Sequence, residues 1–277
     1  MAQTLFTIAD EELMLFLKRT GEAFSKADVP HMFVGGIAHQ LYVARYLCNA
    51  YNQDFLSIAE SDKIDIPKNF RPTDNVDIAL KIDGDDGSEE ARVAAGRRLS
   101  KILETVVTTD PLFSLSENAL VSIRAKKIGY GKSVFILDND TTDNEDYREI
   151  TLNIFCGPNR VRKLVLGKVD EQLFDIFLER AANISIPYIR DKKVEVKVTD
   201  QHDHLATKIL RGKPWDISDS LTFYRYARAA NAPIEHQKVL KVLYPNGVTE
   251  GEKESDLYLK YSALVEMDKI LERDETS

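Results

Sequence analysis

The chain has 277 residues, 43% of them hydrophobic, and carries a formal charge of −8. That length allows one large domain or two modest ones, and the acidic balance argues against broad, unaided binding to nucleic acid. No apolar run is long enough for a membrane span, MAQTLFTIADEE at the N-terminus lacks the pattern of a secretion signal, and Cys48 and Cys156 read as small buried thiols, so a cytoplasmic protein is expected.

Asp10 is placed to cap a helix through EELMLFLKRTGEAFSKA, where Leu13, Phe16, Leu17 and Phe24 recur at helical spacing. Pro30 ends it, and HMFVGG reads as a short buried strand closing on Gly35 and Gly36. IAHQLYVARYLCNAY predicts a helix with Ile37, Leu41, Val43, Ala44 and Leu47 near one face; His39 either lines a pocket there or takes a polar-face position. Residues 51–70 are mixed and polar and read as an excursion. In NVDIALKI, Val76, Ile78 and Leu80 face one way while Asn75, Asp77 and Ala79 face the other. The turn DGDDGS leads to the amphipathic helix EEARVAAGRRLSKILETV. ALVSIRAKKI, SVFILD and REITLNIF then predict three strands, with GYGK and the solvated acidic loop NDTTDNED between them. From Asp200 onward helices are expected over 200–211, 216–230, 234–243 and 255–272. The chain thus divides into an α/β domain, 1–198, and a helical C-terminal region, 199–277. Basic runs at 124–132 and 160–168 are either a local groove for nucleic acid or solvated edges.

Phosphoryl and nucleotidyl transfer call for carboxylates that hold hard dications and for backbone N–H groups that meet phosphate. Two side chains at i and i+2 on a strand share a face, and a neighbouring strand can add a third. Glycines opening a helix let phosphate approach its N-terminus. Here Gly35 and Gly36 precede a helix, Asn75 and Asp77 share a strand face, and Asn153 in EITLNIF stands where a third acid would belong. Downstream, HLATKILRGKPWDISDSL puts Lys208 and Arg211 on one helix face, and Pro214 opens a helix bearing Asp216 and Asp219. These four side chains read either as a phosphate-contacting lysine with carboxylates that orient basic groups, or as an interhelical salt-bridge clasp.

Taken together, Gly35-Gly36, Arg71-Pro72-Thr73, Asp77, Lys208 with Arg211, and Asp216 with Asp219 resemble the AbiEii-type nucleotidyltransferases. These are the toxin arm of bacterial abortive-infection toxin–antitoxin pairs, within the DNA polymerase β-like superfamily. The resemblance runs from about residue 10 to 230 and implies a small mixed sheet flanked by helices, followed by a helical region. It also implies a nucleoside triphosphate, magnesium, a cognate antitoxin, and an RNA acceptor, the acceptor end of transfer RNA being the one some members modify. On that resemblance Asp77, with Asn75 and Asn153 at the other two acid positions, would hold magnesium. Gly35, Gly36, Arg71, Thr73, Lys208 and Arg211 would meet the nucleotide, and Asp77, Lys208, Asp216 and Asp219 would carry the chemistry.

The two asparagines depart from the family pattern. Asp74 cannot replace the first acid, because adjacent strand residues point to opposite faces. Two dications about 4 Å apart repel by roughly 16 kcal/mol at an effective dielectric of 20, and amide oxygens are weak, neutral ligands for magnesium. At most one metal, arriving with the nucleotide, is therefore expected. The alternative is a catalytically silent protein that binds a nucleotide or a partner. Elsewhere, His202 and His204 diverge at i and i+2 and read as flanking a helix start capped by Thr199 and Asp200. Trp215 reads as an anchor of its helix against the core, base stacking being the other role open to it.

Overall fold

The computed structural model describes residues 6–61, 64–73, 75–81, 89–109, 113–115, 130–137, 147–156, 171–189 and 192–276. Asp74, the turn 83–88, the strand expected over 119–128, the acidic loop 139–146, the basic run 160–168 and most of the run 124–132 lie outside these residues.

The elements run α1 (Glu11–Lys26), β1 (His31–Val34), α2 (Gly35–Tyr51), α3 (Phe55–Ala59), α4 (Ile66–Asn69), β2 (Asn75–Leu80), α5 (Glu89–Thr109), β3 (Phe113–Leu115), β4 (Tyr130–Leu137) and β5 (Tyr147–Cys156). After them come α6 (Glu171–Arg180), β6 (Ala182–Ile189), β7 (Lys192–Val198), α7 (Gln201–Arg211), α8 (Pro214–Ala229), α9 (His236–Leu243), a short 3-10 turn (Gly251–Glu254) and α10 (Asp256–Thr276). The strands form one mixed sheet in the order β3-β4-β5-β2-β1-β7-β6, flanked by helices, so the expected α/β class holds. β1 pairs antiparallel with β2 and parallel with β7, while β2 pairs parallel with β5. Among the described residues no helix is long and apolar enough to cross a membrane.

The period-two pattern of β2 decides which residues reach solvent. Val76, Ile78 and Leu80 enter the main core with Leu13, Phe16 and Leu17 of α1 and Leu41 and Tyr42 of α2. The opposite face is thinner. There Met32, Val34 and Ala79 meet Phe177 and Leu178 of α6, and the half-buried Asn75 and Asp77 stand on the same side of β2 as Ala79. Each large side chain buried this way contributes about 1.5–3 kcal/mol.

Several expectations change. Asp10 does occupy the N-cap position of α1, but its carboxylate accepts from Thr7 N at 2.7 Å instead of from the helix. Asp200, by contrast, caps α7 by accepting from His202 N at 2.8 Å. The excursion at 51–70 carries core residues: Phe55, Ile58 and Phe70 are fully buried, and the rings of Phe55 and Phe70 meet edge to face at 5.4 Å. Residues 171–198, to which the sequence reading assigns no element, form α6 and the β6–β7 hairpin, extending the sheet beyond β1. The C-terminal helices share the main core: Phe223 of α8 packs against Tyr42 and Tyr46 of α2, and Tyr42 donates to Thr199 O at 2.9 Å.

Candidate functional site

β1 ends at Val34, paired with Asp77 across the antiparallel ladder, and the chain turns at once into α2. Gly35 makes that turn at φ +66°, and a Cβ there would lie 2.6 Å from Asp77 Oδ2. Glycine is required twice over, for the left-handed backbone and for the close carboxylate. Val34 provides no side-chain cap, and the first turn of α2 has no acidic residue. The 17-residue helix therefore directs its positive end and its first N–H groups at this spot.

On the other side of Asp77, the parallel ladder places Asn153 directly opposite, and Asn153 Nδ2 donates to Asp77 Oδ1 at 2.9 Å. Asn75 lies one step up the same face, opposite Thr151. The Thr73 hydroxyl donates to Asn75 O at 2.9 Å, and Thr73 pairs with Phe6 through two backbone bonds of 2.8 Å. Thr73 thus pins the strand entrance through the backbone.

Lys208, Arg211, Asp216 and Asp219 form a clasp between α7 and α8. Lys208 is 3% exposed; its ammonium bonds Asp219 and lies 3.5 Å from Asp216. Arg211 grips Asp216 with two nitrogens, its Nε at 2.8 Å, and Asp216 also accepts from Lys213 N at 3.1 Å as the cap of α8. Burial acts to raise the Asp216 carboxyl, but the Arg211 hydrogen bonds and the two neighbouring cations outweigh it and hold the group below its ordinary range. For Lys208 the balance is reversed. Burial lowers it, and the pull of Asp219 and Asp216 does not fully compensate. Lys208 thus makes the interhelical ion pairs of a clasp. Arg71 is an exposed cation that faces the glycines: its Nη2 lies 4.0 Å from the position a Cβ would take at Gly36 and 3.8 Å from Asp219 Oδ2.

Two aromatic expectations are overturned. Trp215 does not anchor α8; it is 44% exposed, with Arg71 and Lys213 over its ring at 5.6 and 4.8 Å from the centroid. His39 takes no polar face. It is buried beneath the clasp, 5.7 Å from the ring of His204 and 5.6 Å from that of Phe223. Arg71 and Trp215 do not stand out as a pair in the sequence, since they lie on distant segments, whereas Lys213 sits two residues before Trp215 at the N-cap of α8. Asp203, in the stretch DQHDHL noted for its histidines, is fully buried and paired with Arg180.

These buried groups set the pH dependence of folding. Burial, then the charge of Lys208, holds His39 and His204 well below the ordinary histidine range, and burial lowers His31 as well. An unfolded chain takes up those protons as pH falls through about 6.5 while the folded one does not, so stability is lost on acidification below that point. Asp203 opposes this: burial, against the charge of Arg180, raises its carboxyl to about 7. The folded state keeps that proton after the unfolded state has released it, so this contribution fades as pH rises from about 4 toward 7. The histidines outnumber it, and the urea midpoint is expected to rise between about pH 5 and 7. The rise should steepen in Asp203→Asn and flatten in His204→Phe; identical slopes in all three proteins would contradict this assignment.

The residues present do not fit a centre of two dications. Asp77 is the one carboxylate of the three strand positions, and Asn153 turns an amide N–H toward it. Among the described residues no three His, Cys, Asp or Glu side chains converge as a metal site.

No protein-family model and no curated protein matches the chain, so the AbiEii-type resemblance rests on its motifs alone. Among solved structures, the chain is similar to an antigenic nucleotidyltransferase-like protein from Paracoccidioides brasiliensis. The two share 13% identity over 98% of this chain and 94% of that one, with a TM-score of 0.47.

Proposed function

We propose that the chain is a nucleotidyltransferase-type protein that binds a nucleoside triphosphate at the head of α2 without the two-dication chemistry of nucleotidyl transfer. The observation that carries this reading is the Asp77–Asn153 hydrogen bond beside Gly35, which joins a phosphate-ready helix N-terminus to a metal position filled by amides. The first N–H groups of α2 and the guanidinium of Arg71 would receive the phosphates. Asp77 would meet a single magnesium that arrives with the nucleotide.

Titration calorimetry tests this directly. Nucleoside triphosphates and inorganic tripolyphosphate should both bind, and Arg71→Ala should weaken both by about 10–100-fold, the worth of a charge-assisted hydrogen bond. A wild-type chain that takes neither ligand at millimolar concentration would refute the reading.

A second reading is nucleotidyl transfer to an RNA acceptor under the control of an antitoxin, as the AbiEii resemblance implies. The register favours it, because positions 75, 77 and 153 stack on one face as three metal-binding acids would. Transfer of label from a nucleoside triphosphate to bulk RNA by the wild-type chain would select it over the silent binder.

A further inference from the structure

We propose that Trp215 is the stacking surface for the base of the bound nucleotide, which rests on the reading of the α2 head as its phosphate site. Trp215 is the single tryptophan of the chain, and it is 44% exposed. Its helix has no need of it for packing: α8 buries Asp216, Ser220, Phe223, Tyr224 and Ala227 along one stripe, and position 215 falls outside that stripe. Its backbone is nonetheless fixed. Pro214 opens the helix, and Asp216, held by Arg211, accepts from the Lys213 N–H at the helix start next to it. A rigid, half-open indole is the surface on which a nucleobase stacks with little ordering cost.

Charge around the ring matches that occupant. Arg71 and Lys213 both lie over the indole. The Arg71 guanidinium reaches from the Trp215 ring to Gly36. One side chain therefore spans the interval between the indole and the head of α2, an interval of the order of a single nucleotide. A base on Trp215 and its phosphates on α2 are joined by the cation that touches both ends. The seam is local, which reconciles it with a formal charge of −8 over the whole chain.

The experiment compares nucleoside triphosphates with tripolyphosphate, which has the phosphates and no base. Trp215→Ala should weaken binding of the nucleotides about 5–150-fold, the range for loss of one stacked base, and leave tripolyphosphate unchanged. Trp215→Phe, which keeps a ring, should recover part of the loss. Because the chain has one indole, its emission should be quenched by the nucleotides in proportion to occupancy. Equal affinity of wild type and Trp215→Ala for nucleotides would overturn the proposal while the phosphate site stands. So would a parallel loss of tripolyphosphate affinity, which would show that the indole acts only by placing Arg71. Failure of wild type to bind either ligand would remove the phosphate site, and this proposal with it.

Discussion

Asp216→Ala is expected to destabilise the folded chain by about 3–5 kcal/mol, the cost of removing one member of a buried, hydrogen-bonded charge cluster. Asp216 is 1% exposed and serves Arg211, Lys208 and the Lys213 backbone together. Its loss leaves the Lys208 ammonium, itself 3% exposed, with Asp219 as its remaining carboxylate in the clasp, and strips the cap from α8. The effect should appear as a lower urea midpoint with an unchanged denaturant slope and as a fall in Tm of roughly 10 °C. The pair Lys208–Asp219 gives the control. Lys208→Met alone leaves Asp219 with the more distant charges of Arg71, 3.8 Å away, and Arg211, whereas Lys208→Met with Asp219→Leu replaces a largely buried ion pair by apolar groups and should cost less than the sum of the single changes. A penalty below about 1 kcal/mol for Asp216→Ala would mean that the clasp does not hold α7 to α8.

How far the sequence carries this site depends on which contacts are local. The face of β2 is legible because alternation is a property of a single strand: Val76 and Ile78 point in, so Asn75 and Asp77 point out. That Asn153 stands opposite Asp77 depends on pairing strands separated by most of a domain, and only the motif pattern suggests it. The spacing of Lys208, Arg211, Asp216 and Asp219 fixes their shared side but is identical for a phosphate ligand and for a clasp. What the spacing does not carry is the burial of Lys208, which distant packing sets.

The misreadings have the same origin. Tryptophan is buried on average, so Trp215 reads as an anchor, but the buried stripe of α8 begins one residue later, at Asp216, and reaches its apolar members at Phe223, Tyr224 and Ala227 without it. His39 reads as polar because α2 is treated as a surface helix. Its residues are in fact buried from Ile37 to Ala44 without a break, since the sheet covers one side and α8 the other. A helix with apolar residues on every side belongs in an interior, and in IAHQLYVARYLCNAY Ile37, Ala38, Leu41, Tyr42, Val43 and Leu47 are spread round the circumference. In β6, Ile184, Ile186 and Tyr188 alternate cleanly, but Pro187 argues against a strand within a sheet. It is tolerated because β6 is an edge strand with a register shift at that position.

Restoring both acids, as Asn75→Asp with Asn153→Asp, is expected to make folding depend on magnesium. In the wild-type chain the Asn153 amide donates to Asp77 at 2.9 Å, an arrangement that needs no cation. A carboxylate at position 153 replaces that bond with a like-charge contact, and at about 4 Å two unit charges repel by about 4 kcal/mol at an effective dielectric of 20. A third charge at position 75, on the same face, adds to it. Without a dication the double variant should therefore lose roughly 2–4 kcal/mol of stability at neutral pH and recover part of it on acidification, as the crowded acids share a proton. Magnesium should restore it in proportion to occupancy, by about 2.7 kcal/mol at a hundredfold excess over Kd. The wild-type urea midpoint should stay in place when magnesium is added without nucleotide. If instead magnesium alone stabilised the wild-type chain as much as the double variant, the amides would be competent metal ligands, and the case for a silent nucleotide binder over a transferase would fail at its central premise.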